Sequence, residues 1–192
     1  MKPNIGQGDH GKTHLLGGKN ESDKVPKDSG QVEAYGVLDE LNSLVGYIRA
    51  HALSPEIDEA LGRVQRDLFC AEAHISAAGT KYENNPALPD FGEEHVLFLE
   101  SKIQEWEEKL PQLKNFILPG GTKEASLCDM ARTLSRRAER RIVSWRKGTE
   151  TNEASGNVQK YVNRLSDFFF ALERLLNMRA GKEPTLWSGR EK

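Results

Sequence analysis

Apolar residues recur along this chain at three- and four-residue steps, in five blocks separated by polar or Gly/Pro-rich breaks. That period places them on one face of an α-helix. Leu38, Leu41, Val45, Ile48 and Ala52 predict a first helix over about residues 32–53. Ser54-Pro55 is a start signal for the second, since proline is tolerated at the first helical position. Its apolar face is Ile57, Leu61, Val64, Leu68 and Ile75. After a break at 79–89, Val96, Leu99, Ile103 and Trp106 predict a third helix over about 92–110. Residues 111–121 form a second break. Thr122 then suits the N-cap of a fourth helix with Met130, Leu134, Ala138, Ile142 and Trp145 on its inner face. A polar turn at 148–156 precedes a fifth helix over about 157–179, carried by Tyr161, Leu165, Phe168, Phe169, Leu172 and Leu176 and closed by Gly181 and Pro184. No stretch of useful length alternates as a strand does. The expectation is an all-α fold: a five-helix antiparallel bundle in a ferritin-like up-down arrangement. It is expected as one domain over residues 1–192, comprising a glycine-rich nucleotide-binding loop at 1–31, the bundle at 32–180 and a tail at 181–192.

Composition narrows the partners. The chain has 27 basic and 29 acidic residues, a net charge of −2, which argues against general affinity for nucleic acid or an anionic membrane. No apolar run approaches the roughly 18 residues needed to span a bilayer. MKPNIGQGDHGK lacks the apolar core of a secretion signal. Cys70 and Cys128 lack metal or disulfide spacing and are expected as buried thiols in a reducing compartment. Cytoplasmic location is the expectation.

Four motifs carry candidate chemistry. Gly6-Gln-Gly-Asp-His-Gly11-Lys12-Thr13 satisfies the phosphate-loop pattern GxxxxGK[ST]. That pattern works when a buried strand precedes it and a helix follows, so that backbone N–H groups and the helix dipole converge on phosphate. Residues 1–5 make a poor strand and 14–20 a poor helix, which excludes the standard P-loop fold. Gly6, Gly8 and Gly11 still let the backbone approach an anion, and Lys12, Lys19, Lys24 and Lys27 add charge. A solvated tail is the plain alternative. In the second motif, Arg132, Arg136 and Arg140 lie at i, i+4 and i+8 on one helical face, with Arg137 and Arg141 in a neighbouring row and Glu139 beside them. Guanidiniums in line suit a polyanion, because each can bind phosphate with two hydrogen bonds. A solvated charged face and an RNA-contacting patch are the alternatives. Third, Asn163 and Ser166 share a face in an otherwise apolar helix, where asparagine implies a specific hydrogen bond or a bundle-specifying polar core. Fourth, Asp39-Glu40 is a solvent-facing acidic pair or a partner for one of the arginines. Metal ligation by a protein cluster is not expected: Glu72-Ala-His74 lacks Glu-x-x-His spacing, and His10, His14, His51 and His95 show none. No nucleophile with a paired base stands out.

Together, the ordered motifs resemble a known family. They are Gly8-Asp-His-Gly-Lys-Thr13, Val25-Pro-Lys27-Asp28, Glu33-Ala-Tyr-Gly36 with Asp39-Glu-Leu-Asn42, Phe116-Ile-Leu-Pro-Gly-Gly121, Arg132-x-x-x-Arg-Arg-Ala-Glu-Arg140 and Tyr161-Val-Asn-Arg-Leu-Ser-Asp167, with Trp187 near the end. The chain closely resembles the propanediol-utilisation class of ATP:cob(I)alamin adenosyltransferases over essentially its whole length. The resemblance implies a homotrimer with ATP at the subunit interfaces, and transfer of the 5′-deoxyadenosyl group of ATP to the cobalt of cob(I)alamin, releasing triphosphate. It implies ATP contacts, with Mg2+ on the phosphates, from Gly6, Gln7, Gly8, Thr13, His14, Lys27, Arg136, Arg137, Glu139, Arg140 and Asn163. It places Asp39 and Arg132 as an interface pair shaping the corrinoid site, Phe116 as the aromatic that displaces the corrinoid's lower base, and Arg132, Asp39 and Arg136 as the catalytic set. A reductase and an adenosylcobalamin-dependent enzyme are the implied partners. Neither nucleic acid nor membrane is expected.

The chain departs from that pattern in places. Ile5-Gly6-Gln7 stands where the family has Thr-(Lys/Arg)-Thr, so two hydroxyls and a cation are missing from the phosphate grip and Lys12 is the candidate substitute. Lys24 stands where arginine is common, Asp129 where histidine is common, and the stretch from Thr13 to Lys27 is longer. The altered start motivates a competing reading, a non-catalytic nucleotide or corrinoid carrier on the same bundle, and the arginine run leaves a third, an RNA-binding module using residues 132–141.

Overall fold

The computed structural model describes residues 5–51, 54–147 and 153–189. The described residues form five α-helices: α1 (Gly30–Arg49), α2 (Pro55–Ala77), α3 (Glu93–Glu107), α4 (Lys123–Arg146) and α5 (Glu153–Arg179). Local chemistry sets their starts. Ser29 caps α1 by accepting from Val32 N, two residues ahead of the expected start. Pro55 opens α2, and the Thr122 hydroxyl caps α4 by accepting from Ala125 N at 3.1 Å. The fifth helix differs from expectation. It already runs at Glu153, and Gly156, read from sequence as part of a turn, lies inside it. The reason is burial: Ser155 and Asn157 face inward, and Asn157 Nδ2 donates to Phe91 O at 3.2 Å, so tertiary contacts outweigh the weak propensity of glycine. Residues 148–152 of the expected turn, and Ala52 and Leu53 of the expected first helix, lie outside the described residues.

α1 packs on α2 and α4, while α5 packs on α4, α3 and α2. Leu38, Leu41, Leu61, Leu68, Leu99, Trp106, Tyr161, Phe168 and Phe169 are fully buried between them. Burying an aliphatic or aromatic side chain of this size contributes about 1.5–3 kcal/mol, so this set supplies most of the drive to assemble the helices. On the inner face of α4, Ala138 and Ile142 are buried and Leu134 and Trp145 pack against the core as expected, and one position is corrected. Met130 is exposed, and the buried row is Cys128, Ala131, Ser135, Ala138 and Ile142. The small side chains of that row let α4 sit close to α1 and α5. Cys128 is buried as expected, whereas Cys70 is only partly covered; both are free.

The expectation of no strands is also corrected. β1 (Lys12–His14) pairs antiparallel with β2 (Lys24–Pro26), with Thr13 opposite Val25. Three residues per strand are too few to register as alternation, and the pairing comes from the backbone. The hairpin is pinned to the helices by its own loop. Leu15 is buried and Leu16 N donates to Ser76 Oγ at 2.9 Å. Gly17, at φ +79°, sits so tightly under Tyr82 that a Cβ there would lie 2.0 Å from the ring, so only glycine fits. At the other end of the chain, the tail is not loose. Leu186 pairs with Ile117, Leu118 N donates to Thr185 O at 2.8 Å and Trp187 N to Phe116 O at 2.7 Å. No helix among the described residues is long and apolar enough to cross a membrane.

Candidate functional site

The N-terminal strap forms the first part of the site. Gly6 and Gly11 adopt φ of +82° and +71°, and the intervening chain turns through Asp9 N–Gly6 O and Gly11 N–Gly8 O bonds of 3.3 Å. The turn is closed by Lys27 N donating to Gly11 O at 2.8 Å. Lys27 also lies over the turn: a Cβ on Gly8 would come within 2.9 Å of its Nζ. Lys24 Nζ donates to Gln7 O at 2.9 Å and pairs with Glu21. Gly6, Gln7, Gly8 and Lys27 are therefore adjacent in space, an open turn of backbone backed by ammonium groups. Thr13 is half-buried against Tyr35 of α1, whose phenol burial holds above its usual value, opposed by a hydrogen bond with Thr13. His14 is turned toward the strap itself, with Nε2 3.1 Å from Asn20 O.

The arginine helix forms the second part, and its two rows behave differently. Arg137 pairs with Glu40, and Arg141 Nε lies 3.1 Å from Glu33 Oε1, so this row is neutralised by acids of α1. Among the described residues, Arg136 and Arg140 have neither ion pair nor hydrogen-bond partner, and both are exposed. Glu139, between them, accepts from Asn163 Nδ2 at 2.8 Å, while Asn163 Oδ1 accepts from Arg164, itself paired with Glu100. The acid that meets the arginines is thus Glu40, with Glu33, rather than Asp39. Glu33 and Glu40 lie two turns apart on α1, opposite two arginines one turn apart on α4. The sequence offers the Asp39-Glu40 pair as a partner for an arginine, but Glu33, and which acid meets which arginine, escape it because which helices are neighbours is not written in either helix alone.

Arg132 lies one turn nearer the start of α4 than Arg136. It lines a cavity of about 660 Å³ with Lys114, Phe116, Ile117, Phe170 and Trp187. Phe116 projects from this wall with 82% of its surface exposed. Asp39 does not join them within one chain. It lines a separate cavity of about 660 Å³ between α1 and α2, with Arg49, Arg66, Phe69 and Cys70. Beside it, burial and then the Asp39 charge push the Glu72 carboxyl up to about 7. Arg132 instead pairs with Asp129, Nε to Oδ1 at 3.3 Å.

This geometry sets two unpaired guanidiniums and an open glycine turn on a helical frame, with an aromatic-walled cavity one turn away. Comparison with known proteins gives the family. Residues 4–176 match the family described as Cobalamin adenosyltransferase. The corrinoid adenosyltransferase of Bacillus subtilis (strain 168) is 40% identical over 185 residues, covering 94% of this chain and 89% of that one. The Cupriavidus metallidurans cobalamin adenosyltransferase is 35% identical over 181 residues, covering 94% and 90%. Among solved structures, a variant PduO-type ATP:corrinoid adenosyltransferase from Lactobacillus reuteri complexed with cobalamin and ATP superposes with a TM-score of 0.87 at 32% identity, covering 99% of this chain and 98% of that one. The chain belongs to the cobalamin adenosyltransferase family.

Proposed function

We propose that this protein transfers the 5′-deoxyadenosyl group of ATP to the cobalt of cob(I)alamin, giving adenosylcobalamin and triphosphate. The observation that carries the reading is the pair Arg136 and Arg140, left without partners among the described residues on a helix where Arg137 and Arg141 are neutralised. Two unpaired guanidiniums on one face are costly to bring together unless an anion completes them. Similar proteins of known structure are complexed with cobalamin and ATP.

The chemistry asks little else of the protein. Co(I) is itself the nucleophile: its electron pair forms the Co–C5′ bond as the C5′–O bond breaks and triphosphate leaves with those electrons. No protein base or nucleophile is required. The protein aligns C5′ with cobalt and stabilises the departing charge. In this reading the strap residues Gly6, Gln7, Gly8, Thr13, His14 and Lys27 wrap the triphosphate, and Arg136, Glu139, Arg140 and Asn163 form the facing wall, with Arg137 held at its edge by Glu40. Mg2+ arrives with the nucleotide. Phosphate oxygens and water would supply most of its ligands. Phe116 and Arg132 border the corrinoid. The separation of Asp39 from Arg132 within one chain supports an antiparallel five-helix bundle working as a homotrimer, in which the Asp39 cavity of one protomer meets Arg132 of the next. We place the reaction in the cytoplasm, fed by a reductase and drained by an adenosylcobalamin-dependent enzyme.

Mixing the protein with ATP and chemically reduced cobalamin is the test. Formation of adenosylcobalamin and an equal amount of triphosphate is expected. Folded protein that binds corrinoid yet yields neither product overturns the reading in favour of a carrier, and RNA binding that weakens with salt without any adenosylation overturns it in favour of an RNA module.

A further inference from the structure

Phe116 poses a positioning problem. With 82% of its surface exposed, it gains almost nothing from packing, so its place is set by the backbone that carries it. That backbone is held from both sides. The tail clamps one side through Trp187 N–Phe116 O and Leu118 N–Thr185 O. The other side is captured by two buried polar side chains. Asp129 of α4 accepts from Gly120 N through Oδ2 at 3.0 Å and from Arg132 Nε through Oδ1 at 3.3 Å. Asn177 of α5 donates to Gly120 O at 2.9 Å and accepts from Thr122 N at 2.9 Å. The fit is close: a Cβ on Gly121, at φ +109°, would lie 2.0 Å from Asn177 Oδ1.

We propose that Asp129 and Asn177 are positioning residues that lock the Phe116 loop and Arg132 into one register, and so set corrinoid binding and turnover without touching ATP. This rests on the reading of Phe116 and Arg132 as the corrinoid wall. One carboxylate joins the two halves of that wall, the loop backbone and the guanidinium. By engaging Nε, it leaves both Nη groups of Arg132 available to the cavity that Arg132 lines. The arrangement is not the cheapest for stability. Asp129 is 7% exposed and Asn177 6%, and buried polar groups are often replaceable by apolar ones at no loss when only folding is at stake. Glu173 completes the chain, accepting from Asn177 Nδ2 at 2.7 Å through Oε1. Burial and the neighbouring Asp129 raise its carboxyl to about 7, with Asn177, Arg174 and Arg132 acting in the opposite direction.

The test compares Asp129→Asn and Asn177→Ala with wild type in steady-state adenosylation, varying ATP and reduced cobalamin separately. Asp129→Asn keeps an acceptor for Gly120 N and loses the charge on Arg132; Asn177→Ala releases the loop. Each is expected to lower kcat/KM for corrinoid at least fivefold while KM for ATP stays within twofold. Each is also expected to shift the absorption spectrum of bound Co(II) corrinoid in the ATP-loaded protein, reporting a changed axial environment. Asp129→Asn is isosteric, and it decides the matter alone if Asn177→Ala does not fold. Wild-type values in Asp129→Asn, or equal losses for both substrates as a purely structural defect gives, overturn the positioning role while leaving the proposed function standing. A wild-type protein that adenosylates nothing overturns both.

Discussion

Replacing the arginines of α4 one at a time separates the two rows. Arg136 and Arg140 have no partners among the described residues, so removing either guanidinium breaks no contact described there. On the proposed function each makes charge-assisted hydrogen bonds to the triphosphate as charge builds on it. Such bonds are worth about 1.5–3 kcal/mol each. At about 1.4 kcal/mol per decade, Arg136→Ala or Arg140→Ala lowers kcat/KM for ATP roughly tenfold to 150-fold. Arg137 and Arg141 are already paired with Glu40 and Glu33 at half-exposed positions. Exposed pairs are worth about 0.2–1 kcal/mol, so Arg137→Ala and Arg141→Ala cost under about fivefold. The assay is adenosylcobalamin formation from chemically reduced cobalamin with ATP titrated, beside thermal melts of all four variants. The melts are expected to match wild type closely. An Arg137→Ala loss as large as that of Arg136→Ala refutes the reasoning, because the ion pair with Glu40 would then not withhold Arg137 from the nucleotide.

Gly17→Ala places a methyl group in the Tyr82 ring and detaches the strap locally; KM for ATP is expected to rise at least fivefold, with hydrogen exchange accelerating at residues 12–26 and the helices melting as before. Glu72 and Glu173, both raised to about 7 from an ordinary 4.5, bind more protons folded than unfolded. Their contribution is therefore fully present below about 4.5 and is lost as pH rises through about 7. Denaturant midpoints measured from pH 5 to 8 should fall less steeply in the Glu72→Gln, Glu173→Gln double variant than in wild type. Truncation after residue 183 removes the backbone partners of Phe116 and Leu118, and is expected to raise KM for corrinoid with KM for ATP unchanged.

Sequence periodicity located all five helices because each carries a long apolar face, and caps such as Ser54-Pro55 and Thr122 mark real starts. It failed where tertiary contacts decide. Gly156 reads as a break yet is held helical by buried neighbours, and Met130 belongs by spacing to the buried face of α4 yet is itself exposed. The two three-residue strands lie below the length at which alternation carries information. The arginine row and the glycine turn were legible because their chemistry is local. The division of the arginines into paired and unpaired was not, since it depends on which helix lies opposite. Asp129 stood out only as a departure from a pattern, and Asn177 and Glu173 gave no signal at all: the partner of Asn177 is the backbone of a loop about 55 residues away, and Glu173 meets that loop only through Asn177.

The hairpin at the base of the strap has an entropic consequence. Fixing the backbone of one residue costs about 1–2 kcal/mol, so a wholly loose segment before α1 would forfeit much of its affinity for a ligand in becoming ordered. Here residues 12–14 and 24–26 are already paired, and residues 15–17 are seated on α2 and Tyr82 before any nucleotide arrives. What remains to be arranged is the short turn around Gly6–Gly11. The pairing therefore acts as an affinity device that makes no contact with the ligand: six paired residues relieve binding of an ordering penalty on the order of 6–12 kcal/mol. A chain with two fewer hydroxyls and one fewer cation in its grip can still hold a triphosphate if its grip is assembled in advance.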